Sequence, residues 1–440
     1  MTLLRQTAQG IDNILSRAQA EGRAPTVAGA VIRDGVMVHF GAFGSDPETG
    51  EVPTRDTQFR IGSITKTMTA VLVMQLRDEG KLALDDLLYR HLPGTPVGSA
   101  ITLRQLLGHI SGLQREPDGQ WWERCDGPSI DAFLEGLTPD KIAYPPHRGY
   151  HYSNLAYGLL GAVLHRVTEL DWTDLVRKRL FEPLSMVRTS HTEVEPFARG
   201  YVVHPWYGTL REEPRTDTAA MAPAGQLWST AADLAKWAAF LADPDPAILS
   251  PATLTEMCAP VVINDLQTWT GGHGLGLELY RCGERVYAGH GGSMPGYLAH
   301  VAVHRPSRTG SVVFAGAYTL AGMRIGELNR DILTLVLDSE PAPAKPWVPH
   351  SGSAATAGHE LAGTWWWMGR SLVMHFDPVE SLLIAEPLGV PAKWVFKNEG
   401  TDVWRCTTGS NDGELMRVRR DADGNPSELD IATCVHTRQP

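Results

Sequence analysis

Cysteine, lysine and long apolar runs are all scarce in this chain of 440 residues, and each scarcity narrows what it can be. The five cysteines (Cys125, Cys258, Cys282, Cys406 and Cys434) stand singly and form no C-x-x-C pair, so a reduced, intracellular protein is the simpler expectation. A Cys406–Cys434 bridge is the one pairing left open. No apolar stretch approaches the length needed to span a bilayer; the best run, Ala70 to Leu76, is far too short. The opening residues MTLLRQTAQGIDN contain no apolar signal core, so a cytoplasmic location without a membrane partner is expected. A net charge of −11 argues against a nucleic-acid partner. No H-E-x-x-H is present, and Gly291-Gly-Ser-Met-Pro295 misses the G-x-S-x-G pattern at its last position. Neither a metal, nor another cofactor, nor an α/β-hydrolase elbow is therefore expected. Of 39 basic residues only eight are lysines, so a lysine one helical turn after a serine carries more weight here than it would in a lysine-rich chain.

What is present reads as a soluble globular protein, with 43% hydrophobic and 20% charged residues and too many residues for one core. Leu3, Leu4, Ile11, Ile14 and Leu15 recur at helical spacing within residues 2–22. The β-like runs Thr26–Ile32 and Val36–Phe40 are joined by Asp34-Gly35, a hairpin signal. A short strand, Gln58–Ile61, leads into a helix that starts at Ser63 and ends by Gly80. Further helices are expected over 154–170, over 229–242 (capped by Ser229 or Thr230) and over Ile325–Leu337. Strands return at Gly274–Tyr280, Val286–Ala288, Tyr297–Val303 and Ser311–Ala317. Strands near both ends with helices between them suit an α+β domain over residues 1–340, its antiparallel sheet assembled from both termini around a helical subdomain. Residues 341–357 (PAPAKPWVPHSGSAATA) read as a linker. Over 358–440, about seven short strands between turn signals predict a small antiparallel β-barrel.

Three motifs carry chemistry. Ser63-Ile-Thr-Lys66 puts a hydroxyl and an amine on one helix face a turn apart, beside a helix N-terminus. Serine is a poor nucleophile until a base takes its proton, and lysine serves only if burial or nearby cations lower its pKa. Tyr152-Ser-Asn154 adds a phenol able to share a proton with that lysine and an amide able to hold it or a substrate carbonyl. His290-Gly-Gly-Ser293 lies in a Gly-rich stretch between strand-like segments, and on its own it reads as a turn. Its glycines also permit close backbone approach, so that an N–H can meet a developing oxyanion.

In this order the motifs resemble those of the penicillin-binding proteins, class C β-lactamases and their esterase relatives. The likeness extends through Phe59-Arg-Ile-Gly-Ser-Ile-Thr-Lys-Thr-Met-Thr-Ala70, Glu79-Gly-Lys-Leu-Ala-Leu-Asp-Asp86, Leu106-Leu-Gly-His-Ile-Ser-Gly-Leu113 and Ala224-Gly-Gln-Leu-Trp-Ser-Thr-Ala-Ala-Asp-Leu234. It implies a β-lactamase/transpeptidase-like fold over about residues 5–337. It also implies that Ser63 is acylated, that Lys66 is its partner and that Tyr152 is general base and acid. Asn154 would contact the substrate amide, and the N–H groups of Ser63 and Ser293 would form the oxyanion hole. His290 stands where β-lactamases usually carry lysine, and Gly291 where they carry a hydroxyl that holds the substrate carboxylate. That departure argues against β-lactamase activity, while His290 would remain a donor that assists Tyr152.

The layout is most like penicillin-binding-protein-type thioesterases, which release and cyclise nonribosomal peptides and carry a lipocalin-like C-terminal barrel. The expected substrate is then a peptidyl thioester, or an ester or amide, with a peptidyl carrier protein as partner. The alternative is an intracellular esterase or D-stereospecific amidohydrolase; a β-lactamase or D,D-carboxypeptidase ranks below both. Trp121 and Trp122 precede Tyr152 in a loop-rich stretch and are expected either to form an apolar wall of the cleft or to pack internally. The barrel tryptophans Trp365, Trp366, Trp367, Trp394 and Trp404 read as core, and Arg438 is a candidate substrate-facing charge.

Overall fold

The computed structural model describes residues 2–98, 100–340 and 358–440. The chain divides into two compact units, Met1–Ala342 and Pro343–Pro440. The linker expected at 341–357 lies outside the described residues.

The first unit is built on one antiparallel sheet. Its strands are β1 (Thr26–Arg33), β2 (Val36–Gly44), β5 (Val262–Ile263), β6 (Gly271–His273), β7 (Glu278–Cys282), β8 (Arg285–Met294), β9 (Tyr297–His304) and β10 (Thr309–Ala315). Two further short strands, β3 (Gln58–Arg60) and β4 (Trp228–Thr230), pair with each other apart from it. The order across the large sheet is β2-β1-β10-β9-β8-β7-β6-β5, so the first strands of the chain meet the last through β1 and β10. Asp34 and Gly35 both adopt positive φ, the conformation a two-residue hairpin requires.

Helices cover both faces. Helix α1 (Arg5–Ala20) and the last helix of the unit, α5 (Ile325–Ser339), pack on one face, where Ile11, Leu15, Val27, Val313, Ile332 and Val336 are buried together. On the other face lie α2 (Thr65–Asp78), α3 (Asn154–Thr168) and α4 (Ala231–Ala242), which Thr230 caps by accepting from Asp233 N–H. The apolar spacing of α2 predicts one buried stripe, yet every residue from Thr65 to Leu76 is buried. Its threonines tolerate this because their hydroxyls are bonded: Thr67 Oγ1 to Ile64 O at 2.7 Å and Thr69 Oγ1 to Pro223 O at 2.8 Å. A helix enclosed on all sides is a rigid platform for the serine at its start.

Two expectations need correction. The strand predicted over 274–280 begins only at Glu278, as β7; residues 274–277 are the turn that joins it to β6, and Gly276 there has φ of +80°. His290–Ser293 is not a turn but the C-terminal half of β8, in register with Leu298–Val301 of β9; the turn falls at Pro295-Gly296.

The second unit is a closed antiparallel barrel of eight strands, β11 (Gly363–Trp367), β12 (Arg370–Asp377), β13 (Leu382–Pro387), β14 (Trp394–Gly400), β15 (Val403–Cys406), β16 (Leu415–Arg420), β17 (Pro426–Ile431) and β18 (Cys434–Thr437). The run read as one strand over Leu429–Cys434 is a hairpin, turned by Ala432 and Thr433 at positive φ. Trp365, Phe396, Trp404 and Met416 fill the interior as packed core. Arg438 is not free for a substrate: its guanidinium lies 3.8 Å from the Trp365 ring centroid and donates to Glu360 O and Ala362 O within the barrel. All five cysteines are free thiols, Cys406 and Cys434 included.

Candidate active site

Ser63 sits in a single tight turn, Gly62–Ile64, immediately before α2. Gly62 has φ of +49°, and a Cβ there would lie 2.6 Å from Ser293 N, so only glycine lets this turn press against β8. From the other side, a Cβ on Gly292 would lie 1.9 Å from Ile61 O. The two glycines together bring the backbones of Ser63 and Ser293 side by side, which is what a two-donor oxyanion site needs. Gly291 is different, since a Cβ there meets nothing closer than 3.5 Å, and its N–H donates to Glu278 Oε2 at 3.0 Å.

Lys66 is fully buried, and its Nζ has three neighbours: Ser63 Oγ at 2.9 Å, Asn154 Oδ1 at 2.6 Å and Ala224 O at 2.6 Å. Burial pulls its pKa down from 10.5 to about 7, against the opposing charges of Glu123, Glu116 and Glu278. The geometry decides where the lone pair of the neutral amine points. Two of the three neighbours are carbonyl oxygens, which only accept, so they take the two amine hydrogens. The lone pair is left facing the one neighbour that can donate, the Ser63 hydroxyl.

Tyr152 precedes the Ser153 cap of α3, whose Oγ accepts from Ala156 N–H at 3.1 Å. Burial raises the pKa of its phenol well above the ordinary value, with the neighbouring Ser63 hydroxyl opposing that shift. The tyrosine is therefore a proton donor at rest, while the buried lysine is the group able to accept. Asn154 is the first residue of α3, and its Oδ1 holds Lys66 as its position suggests. Its Nδ2, expected to meet a substrate, instead donates to Glu116 at 2.8 and 3.0 Å.

Glu116 is a participant that the motifs do not reveal. Besides Asn154 it receives Trp122 Nε1–H at 2.7 Å and Arg115 Nε–H at 2.9 Å, which fixes the amide so that oxygen rather than nitrogen faces Lys66. The paired tryptophans thus divide: Trp122 is buried and structural, whereas Trp121 is half-exposed and edges onto Tyr318. Glu123 is the second carboxyl of this wall, raised to about 7 by burial and by Glu116.

His290 also departs from expectation. Its ring is 6.2 Å from that of Tyr152, centroid to centroid, with no hydrogen bond between them. Nδ1 faces Gly291 O at 2.5 Å, and burial, reinforced by the Lys66 charge, lowers its pKa to about 3. It is a neutral ring at physiological pH. Beside it opens a cavity of about 340 Å³, lined in part by Glu278, Tyr280, His300 and Arg330.

Residues 11–330 match the family model described as Beta-lactamase. The chain belongs to that family. Residues 354–438 match a second model, described as a domain of unknown function (DUF7586). Penicillin-binding protein 4 of Amycolatopsis lactamdurans is 30% identical over 338 residues, covering 72% of this chain and 86% of that protein. Among solved structures, the D-amino acid amidase of Ochrobactrum anthropi SV3 complexed with L-phenylalanine amide is 25% identical at a TM-score of 0.63, over 76% of this chain and 99% of its own. SurE is 24% identical at a TM-score of 0.61, over 98% of this chain and 99% of its own. The fold is accordingly the β-lactamase/transpeptidase-like one with an added barrel, and the protein is a hydrolase-type member of the penicillin-binding-protein and β-lactamase family. No helix among the described residues is long and apolar enough to cross a membrane.

Proposed function

We propose that the protein transfers an acyl group through a covalent acyl-Ser63, and that it releases and head-to-tail cyclises a peptide delivered as a thioester. The observation that carries the acyl-serine step is the pairing of Ser63 Oγ with a buried Lys66 whose other two neighbours can only accept. Neutral Lys66 takes the hydroxyl proton as Oγ attacks the carbonyl. The oxyanion forms against the N–H groups of Ser63 and Ser293. Tyr152 then gives its phenolic proton to the departing sulfur, nitrogen or oxygen and regains one from Lys66. An incoming amine reverses these steps and leaves with the acyl group.

The thioesterase reading is supported by the joining of an S-x-x-K, Y-x-N, H-G-G core to a closed eight-stranded barrel, the layout those enzymes share. A D-configured residue at the activated end is supported by the likeness to an amidase named for D-amino acids and by the fact that SurE has also been solved with D-Leu. The carrier of the peptide would be a peptidyl carrier protein. A second reading, D-stereospecific amide hydrolysis with water as acceptor, is favoured by the amidase likeness itself.

The deciding experiment mixes the protein with a peptidyl thioester surrogate bearing a free N-terminus and a D-residue at the activated end. Ser63→Ala runs beside it. A Ser63-dependent monomeric product at the peptide mass less one water supports cyclisation. Free acid alone refutes it in favour of the hydrolase, and equal turnover by Ser63→Ala refutes the acyl-serine itself.

A further inference from the structure

Three imidazoles meet behind Tyr152, and none of them takes part in the proton path above. His109, His273 and His290 are 0%, 0% and 1% exposed, and one ring nitrogen of each lies within 4.8 Å of one nitrogen of both others. In all three rings Nδ1 is bonded to the backbone, while Nε2 has no protein partner.

The backbone partners fix the tautomers. His273 Nδ1 faces Gly274 O at 2.8 Å, and His290 Nδ1 faces Gly291 O. A carbonyl only accepts, so both rings carry their proton on Nδ1 and present a lone pair at Nε2. His109 is the reverse. Ser153 N–H donates to its Nδ1 at 3.1 Å, so its proton is on Nε2. Burial lowers the pKa of all three, to about 4 for His273 and about 3 for His290, so the rings are neutral. The three Nε2 atoms, the ring nitrogens that the backbone leaves unpartnered, are therefore one donor and two acceptors.

That set is the complement of a water molecule, which accepts one hydrogen bond here and donates two. Three points mutually within 4.8 Å share a centre no more than about 2.8 Å from each, which is hydrogen-bond length. A metal ion suits the set less well. It needs a lone pair on every ligating nitrogen at about 2.0–2.1 Å, and His109 offers a proton instead.

We propose that His109, His273 and His290 enclose one ordered water, and that this water ties the Tyr152–Asn154 segment to strand β8. The two ends of the tie are already in place. His109 holds Ser153 N–H, and its ring lies 4.3 Å from the Tyr152 ring. His290 holds Gly291 O, two residues from the Ser293 N–H of the oxyanion site. His273 bonds to neither motif, so it is a positioning residue that acts through the water alone. The inference deepens the acyl-serine reading, which it uses only for its kinetic readout.

A crystal structure of the wild-type protein, with anomalous data collected at the zinc edge, is the direct test. The expected result is a peak within hydrogen-bond distance of all three Nε2 atoms and no anomalous signal. An anomalous peak, or no peak, overturns the proposal. In parallel, labelling of Ser63 by a fluorophosphonate is followed in His273→Phe, which removes the acceptor, and in His273→Gln, which keeps one. The Phe variant is expected to lose about tenfold in maximal labelling rate at unchanged half-saturation, as slight misplacement of reacting groups does, and the Gln variant to recover most of it. Equal rates in all three proteins, or equal losses in both variants, overturn the positioning role. Failure to label wild-type Ser63 would count against the acyl-serine reading, and diffraction would still decide the water.

Discussion

Exchanging the amide of Asn154 with the carboxylate of Glu116 moves one negative charge against the proposed base while keeping the shape of the site. In N154D/E116Q the hydrogen bond between the two side chains is retained with its ends reversed, and a carboxylate oxygen replaces the amide oxygen 2.6 Å from Lys66 Nζ. An opposite charge in contact favours the ammonium and raises a pKa by about 1–3 units. Removing Glu116 subtracts a more distant charge of the same sign, so the net shift remains upward. Lys66 must be neutral to accept the serine proton, so activity is lost as pH falls through its pKa. That acid limb should therefore move from about 7 to roughly 8–10. At pH 7, where half of wild-type Lys66 is already neutral, the variant then labels Ser63 about 5 to 500 times more slowly, and approaches the wild-type rate at its alkaline plateau. Fluorophosphonate labelling followed by intact mass from about pH 6 to pH 10 reads this without any knowledge of the natural substrate. A limb that stays near 7, or a loss that is uniform across the range, would refute the assignment of Lys66 as the titrating base.

Three further outcomes are expected. Tyr152→Phe should slow amide turnover by about 10²–10⁴, and slow a p-nitrophenyl ester far less, because that leaving group departs without a proton; equal losses on both substrates would remove the phenol from leaving-group protonation. Gly292→Ala should lower kcat by about 10²–10³ by pushing β8 away from the Ser63 turn, whereas Gly291→Ala, with nothing nearer than 3.5 Å, should be close to wild type; parity between the two in steady-state kinetics would contradict the oxyanion geometry. Lys66→Met should stabilise the protein at pH 6. The folded pKa of about 7 lies below the unfolded 10.5, so the native state pays for a buried charge below pH 7, and wild-type stability climbs between those values. Urea unfolding at pH 6 should show a gain of a few kcal/mol that shrinks toward pH 10, and a gain independent of pH would refute the linkage.

The parts of the site that the sequence discloses are those set by local spacing. Ser63 and Lys66 share a helix face because they are one turn apart, and Ser153 between Tyr152 and Asn154 caps the helix that begins there. The hairpin at Asp34-Gly35 and the strands that meet across β1 and β10 were legible for the same reason, since each depends on a turn residue or on a run of apolar residues. The errors cluster at glycine, which serves close approach in one place and a turn in another. Gly289 to Gly292 looks like a loop in one dimension, yet Gly292 is needed because strand β8 touches Ile61 O, a contact 231 positions earlier in the chain. The strand expected over 274–280 failed for the opposite reason, since Gly276 makes a turn there, at φ of +80° and against Ala70 of α2.

What one dimension hides most completely is which end of a polar side chain faces the chemistry. Asn154 was identifiable, but the direction of its amide is set by Glu116, which arrives from a loop with no motif of its own and is itself held by Trp122. His290 stands in a motif, but its ring makes no hydrogen bond to Tyr152 and instead groups with those of His109 and His273, residues 181 and 17 positions away with no common pattern. In both cases the side chain's polar atoms meet partners that no motif names, because a donor or acceptor is assigned by whatever the fold brings to it. The same logic explains the protein's division of proton work. Nothing in S-x-x-K says whether the lysine is an ammonium or a base. Two carbonyl oxygens, Asn154 Oδ1 and Ala224 O, make that choice by taking the amine hydrogens and leaving the lone pair to Ser63.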